Sequence, residues 1–178
     1  NLSSDLQVQH SPYGMGEPRF TVEGRPDLLP WSRPQYDGPA LRALAAQTYV
    51  RECSPPEALR ALADKVIGRD LEFIREVRHR RGFDLWEELF AENYHTQLVQ
   101  MAALENGGFA AEAAELKEEL DKYWDRAKGY YRSQRIIERT DGYTKKDTDL
   151  DSAIVIAVIE SERRSGAHSV TDPKVQAT

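Results

Sequence analysis

A single cysteine, Cys53, stands in a sequence of 178 residues, so no disulfide can form within the chain and its fold must rest on packing. That scarcity assigns no redox compartment. Long apolar runs are missing as well: no stretch approaches the ~20 residues needed to span a bilayer, and the first residues show no charged-then-apolar leader. Nor is there an excess of positive charge. With 24 Lys and Arg against 30 Asp and Glu, the formal net charge is -6, and no basic stripe follows a phosphate backbone. The expected partners therefore include neither nucleic acid nor membrane.

Several chemistries lack their motifs. His10, His79, His95 and His168 are too scattered for local zinc spacing, and neither a G-x-S-x-G nor a Walker sequence occurs. Asp147-x-Asp149-x-Asp151 begins like a calcium loop, but its sixth position is Ser152 rather than glycine and its twelfth is Val158 rather than glutamate. Gly14-x-Gly16 has neither the third glycine nor the preceding strand of a dinucleotide site. No metal and no cofactor is expected.

What is present divides by composition. Residues 1–38 hold Pro12, Pro18, Pro26, Pro30 and Pro34 with Gly14, Gly16, Gly24 and Gly38, which forbids long helices and predicts ordered loops. Helical spacing dominates residues 39–164. Asp37 is placed to cap a first helix with Pro39 in its opening turn, followed by Leu41, Leu44, Ala45, Thr48 and Tyr49. Ser54-Pro55-Pro56-Glu57 has capping-box spacing, and Leu59, Leu62, Ala63, Val66, Ile67, Ile74 and Val77 form one face of a second helix, expected to stop at Gly82. The basic run from Arg78 to Arg81 suits the negative end of that helix dipole. Tyr94, Leu98, Met101 and Ala102 predict a third helix, broken at Gly107-Gly108. A longer fourth is expected to carry Leu116, Leu120, Tyr123, Trp124, Ala127, Tyr130 and Tyr131 on one side.

Asp141-Gly142 predicts a turn. Ala153 to Ile159 is apolar throughout; Asp151 as a cap and the polar extension to Arg164 make it a helix, one expected to be surrounded by others. Residues 165–178 read as the start of a truncated element, since Thr171-Asp172-Pro173-Lys174-Val175 has the form of a capped helix start. The expected fold is all-α, about five helices after a loop-rich beginning, and a segment of a larger domain.

One stretch carries chemistry. Gly82-Phe83-Asp84-Leu85-Trp86-Glu87-Glu88 gathers three carboxylates around a tryptophan. Hydrolysis of a glycosidic bond needs a carboxylic acid that keeps its proton near neutrality, and crowding by neighbouring acids and a bulky ring acts in that direction. The indole offers an apolar face for a sugar ring and an N–H donor for its hydroxyls. Alternatively, Trp-Glu-Glu simply opens an amphipathic helix, burying the ring and placing its acids at the positive dipole end.

Met15-Gly16-Glu17-Pro18-Arg19-Phe20, then Trp31-Ser32-Arg33-Pro34-Gln35-Tyr36-Asp37-Gly38-Pro39-Ala40-Leu41-Arg42, then the stretch from Gly82 to Glu88, then Leu150-Asp151-Ser152-Ala153 resemble, in order and at similar separations, the glucoamylases of glycoside hydrolase family 15. The resemblance implies a six-fold α/α barrel that removes glucose from the non-reducing ends of α-1,4-glucans or maltooligosaccharides with inversion. It implies Glu87 as general acid, with Trp31, Arg33, Asp84, Leu85, Trp86 and Glu88 around the bound sugar. The departures are a missing upstream Arg-Asp pair, a missing downstream arginine and catalytic base, and Ser32 in place of the glycine usual after the tryptophan. The base is accordingly expected outside this chain, the isolated segment is expected to be inactive or nearly so, and its open edges are expected to meet complementary barrel segments or to self-associate. The family is often secreted, and Asn1-Leu2-Ser3 is a short glycosylation sequon, but neither fixes a compartment. A silent carbohydrate-binding helical module, a scaffold presenting an acidic surface, and a trehalase-like or other α-glucosidic hydrolase on the same barrel stay open as alternatives.

Overall fold

In the computed structural model, residues 14–27, 29, 32–138 and 150–178 are described. Trp31, His10, the Asp141-Gly142 turn, Asp147, Asp149 and the Asn1 sequon lie outside the described residues. The helices are α1 (Gly38–Cys53), α2 (Glu57–Val77), α3 (Tyr94–Asn106), α4 (Ala110–Asp121), α5 (Ala153–Glu160) and the single turn α6 (Pro173–Gln176). Short strands β1 (Gly82–Phe83), β2 (Phe90–Asn93) and β5 (Gln134–Glu138) form one antiparallel sheet in the order β1-β2-β5, and β3 (Trp124–Asp125) pairs with β4 (Tyr130–Tyr131). Before α1 the described chain is loop with one 3-10 turn at Gly14–Gly16, as its prolines and glycines dictate.

Side-chain pairs fix how the helices run. Arg42, early in α1, binds Asp70, late in α2, through two hydrogen bonds of 2.7 and 2.6 Å, so these helices form an antiparallel hairpin. The α3–α4 hairpin turns at Gly107 and Gly108; Gly108 has φ 83°, and a Cβ on Gly107 would meet Leu71 Cδ1 at 2.5 Å. Between hairpins, Asp37 faces His95 at one end and Gln47 Nε2 donates to the Ala103 carbonyl at 3.1 Å near the other, so α1 and α3 run the same way. Arg75 with Glu112 and Arg78 with Glu115, each at 2.7 Å, align α2 with α4 likewise. Two parallel inner helices backed by two parallel outer ones are the repeating plan of an α/α barrel. Every α3 residue from Tyr94 to Leu104 is buried, and Ala40, Ala43, Leu44, Ile74, Leu116, Leu120, Ile154 and Ala157 close around it.

The structure corrects five sequence expectations. Ser54 does not cap α2: with only two residues beyond it before the next helix, it terminates α1 in the left-handed region at φ 45°, and the cap position of α2 is Pro56 without a side-chain bond. Leu59 and Leu62 are 48% and 58% exposed, so the buried stripe of α2 begins only at Ala63. That helix also ends at Val77, ahead of Gly82. The predicted aromatic helix stops at Asp121. Asp125 Oδ1 then accepts from the Ala127 and Lys128 amides at 3.0 and 3.1 Å, and Gly129 at φ 75° completes a hairpin that still buries Tyr123 and Tyr131. Finally, α5 is a helix, with Asp151 Oδ1 accepting from the Ala153 amide at 2.9 Å, but it is not surrounded. Ala153, Ile154, Ala157 and Val158 are buried, while Val155 and Ile159 stand 54% and 66% exposed on the opposite side.

The α6 turn forms as its sequence predicts, with Asp172 Oδ1 accepting from the Lys174 amide at 2.9 Å. No helix of the described residues is long and apolar enough to cross a membrane.

Candidate active site

Residues 84–89 form the loop that joins β1 to β2, so the alternative of an amphipathic helix opening at Trp86 does not hold. It is built against the segment that precedes α1. Gly82 is required by close approach: a Cβ there would meet the Pro34 carbonyl oxygen at 3.0 Å and the Tyr36 ring at 3.1 Å. Phe83 N donates to that same Pro34 oxygen at 2.9 Å.

Asp84 organises the loop from inside. At 2% exposure, its Oδ1 accepts from the Glu88 and Leu89 amides at 2.7 and 3.1 Å, and its Oδ2 accepts from Gln134 Nε2 on β5 at 3.0 Å. Its backbone closes the ring, with Asp84 N donating to Leu89 O at 3.0 Å and Glu87 N donating to Asp84 O at 2.9 Å. A buried carboxylate with this many donors is a satisfied structural anion.

The other groups of the loop take different partners. Glu87, partly buried, has φ 61°, a left-handed backbone that costs a residue with a Cβ of order 1–3 kcal/mol. Two contacts from the other segment hold it: Ser32 Oγ donates to the Glu87 carbonyl at 2.8 Å, and Gln35 Nε2 donates to Glu87 Oε1 at 3.0 Å. Trp86 turns the other way, 43% exposed, with Nε1 donating to Asp151 Oδ1 at 2.8 Å. Glu88 is exposed and Leu85 half-buried.

Arg33 is placed differently from the rest. Its guanidinium pairs with Glu17 at 2.8 Å and donates to the Asp27 carbonyl at 2.6 Å, binding the N-terminal loop to itself. Ser32, Gln35, Gln134 and Asp151 are the residues sequence reasoning missed as parts of this site. Each reaches its partner across fifty or more positions, so no local spacing marks it.

A second group of charges is buried at the start of α3. His95, 2% exposed, has Nε2 at 2.7 Å from Glu160 and Nδ1 at 3.4 Å from Asp37. Burial opposes its charge, but the two carboxylates outweigh burial and raise its pKa to about 9. Asp37 consequently sits at the cap position of α1 without capping it. His168, fully buried against Tyr94 and Asp121, goes the other way, because burial lowers its pKa more than Asp121 and Asp172 raise it. No group of three His, Cys, Asp or Glu among the described residues could hold a metal ion.

Two cavities, of about 820 and 980 Å³, are lined by none of the predicted sugar-contacting residues.

Residues 3–176 match the family described as Glycosyl hydrolases family 15. The chain is 41% identical over 98 residues to Glucoamylase P of Amorphotheca resinae, covering 53% of this chain and 16% of that protein. It is 29% identical over 191 residues to a glucoamylase of Blastobotrys adeninivorans, covering 93% of this chain and 30% of that one. The solved glucoamylase of Saccharomycopsis fibuligera superimposes with a TM-score of 0.75 at 24% identity, over 92% of this chain and 40% of the other. The chain thus spans less than a third of the length of those two curated relatives.

Proposed function

Because the chain belongs to glycosyl hydrolases family 15, we propose that it is part of a glucoamylase-like enzyme that hydrolyses terminal α-1,4-glucosidic bonds of maltooligosaccharides with inversion, with Glu87 as the general acid. The observation that carries this reading is the treatment of Glu87 itself. It is the one acid of the loop held in a left-handed backbone, gripped at both its carbonyl and its carboxyl by the segment before α1. Gln35 occupies Oε1, which leaves Oε2 to carry the proton toward the leaving glycosidic oxygen. Trp86, its N–H fixed by Asp151, offers its exposed ring to the apolar side of a glucose. Asp84 keeps the loop in shape, and Glu88 and Leu85 supply neighbouring walls.

Inversion needs a second carboxylate roughly 6.5–9.5 Å from the acid to activate water. The described acids nearest in sequence, Asp84 and Glu88, belong to the same tight turn, and Asp84 is committed to backbone and amide donors. The base is therefore assigned to another part of the barrel, and this chain alone is inactive or nearly so. The exposed apolar side of α5, at Val155 and Ile159, is the surface on which adjoining barrel helices or a second copy would sit.

Glucose release from maltose and maltoheptaose by the chain, beside its Glu87→Gln variant, tests this. No release from either fits the reading. Release that persists in the variant removes Glu87 as acid, and release that the variant abolishes places a base inside this chain.

A further inference from the structure

The Ser32 hydroxyl crosses from the segment before α1 to the acid loop. It donates to the Glu87 carbonyl at 2.8 Å. We propose that Ser32 is a positioning residue for Glu87, fixing the carbonyl side of its left-handed backbone so that the carboxyl stays on Gln35. The proposal rests on the reading of Glu87 as the acid.

The geometry of one residue carries it. Glu87 has φ 61°, a conformation that residues with a Cβ adopt only where their surroundings hold them. On its amino side, Glu87 N is fixed by Asp84 O at 2.9 Å, inside a turn that Asp84 also braces through the Glu88 and Leu89 amides. Those bonds hold the chain on either side of the Glu87 carbonyl, and the contact to the carbonyl itself comes from Ser32. Removing it leaves the peptide between Glu87 and Glu88 held only on its N–H side, by Asp84 Oδ1 at 2.7 Å, and so loosens the backbone from which the Glu87 carboxyl reaches Gln35. Gln35 Nε2 also lies 3.3 Å from the Ser32 carbonyl, so Ser32 sets the position of both the donor and its acceptor.

The test is carried out on the isotope-labelled chain with Ser32→Ala, Ser32→Gly and Ser32→Thr. The readouts are the Gln35 side-chain amide resonances and the exchange rates of the Glu87 and Glu88 amides, measured where thermal unfolding shows each variant folded. Losing the hydroxyl in Ser32→Ala and Ser32→Gly is expected to move the Gln35 resonances toward free-amide positions and to speed Glu88 exchange roughly fivefold, the factor that one ordinary hydrogen bond delivers. Ser32→Thr, which keeps the hydroxyl, is expected to stay near the parent. Unchanged Gln35 resonances in Ser32→Ala overturn the proposal, and so does an equal shift in Ser32→Thr, which would trace the effect to packing. Hydrolysis that survives Glu87→Gln removes the acid reading and the proposal with it, an outcome seen in turnover and not in these spectra.

Discussion

Helix α3 and the loop from Gly82 to Leu89 are neighbours held by opposite means. The helix is buried on all sides, and its position comes from many small apolar contacts, none decisive alone. The loop is held by a few polar bonds from three distant segments: Ser32 and Gln35 before α1, Gln134 on β5, Asp151 ahead of α5. Removing packing should therefore cost the fold and leave the meaning of the loop untested, whereas removing one bond should loosen the loop and leave the fold.

The largest effect is expected from the helix. Leu98 and Leu104 are fully buried, and Leu98→Ala should destabilise the chain by about 2–5 kcal/mol, enough to consume a large share of an ordinary domain's stability. Denaturant titration checks this. A loss under 1 kcal/mol would mean that α3 is not the packed centre described.

Next comes the buried charge of His95. His95 is raised from 6.5 to about 9, so folding favours its protonated form; its contribution is fully present below pH 6.5 and is lost as pH rises through about 9. A difference of that size corresponds to roughly 3 kcal/mol as an upper bound. His168 is lowered, so its contribution is present above pH 6.5 and is lost as pH falls below it. The two together predict stability highest near pH 6.5, with His95→Leu flattening the alkaline side alone. Urea midpoints at pH 5, 6.5, 8 and 10 would show it, and an alkaline side unchanged by that substitution would separate His95 from the effect.

The contrast between helix and loop also explains what the sequence could announce. Buried apolar spacing made α1, α3 and α5 legible, because a helix repeats its contacts every turn and the repeat is written locally. It failed in two ways: Tyr123 to Tyr131 kept a core-like stripe while Asp125 and Gly129 turned the chain back, and Leu59 and Leu62 kept helical spacing on an exposed face. The acid loop was found by its composition and by resemblance. Its mechanics were not, since Ser32, Gln35 and Gln134 are ordinary residues whose value lies wholly in what they meet after folding.

Asp84 is the sharpest probe of the loop as a unit. Asp84→Ala removes the acceptor for two amides and for Gln134 in a buried site, and should cost about 1–3 kcal/mol. The loss should appear first as faster exchange at Glu88 and Leu89, with α3 amides still protected. Simultaneous loss of protection in both would make loop and helix one cooperative unit.

The smallest effect is expected at Trp86, and it separates two jobs of one side chain. Trp86→Phe keeps an aromatic face but deletes the N–H that reaches Asp151, a bond at a half-exposed position contributing about 0.5–1.5 kcal/mol. Asp151 Oδ1 still accepts from the Ala153 amide, so the start of α5 should survive and the loss should stay within the loop. If glucan contact depends on the ring, binding of maltoheptaose should persist in Trp86→Phe and fall in Trp86→Ala. If both lose binding equally, the indole N–H matters more than the face, and the bond to Asp151 is what orients Trp86 toward the sugar.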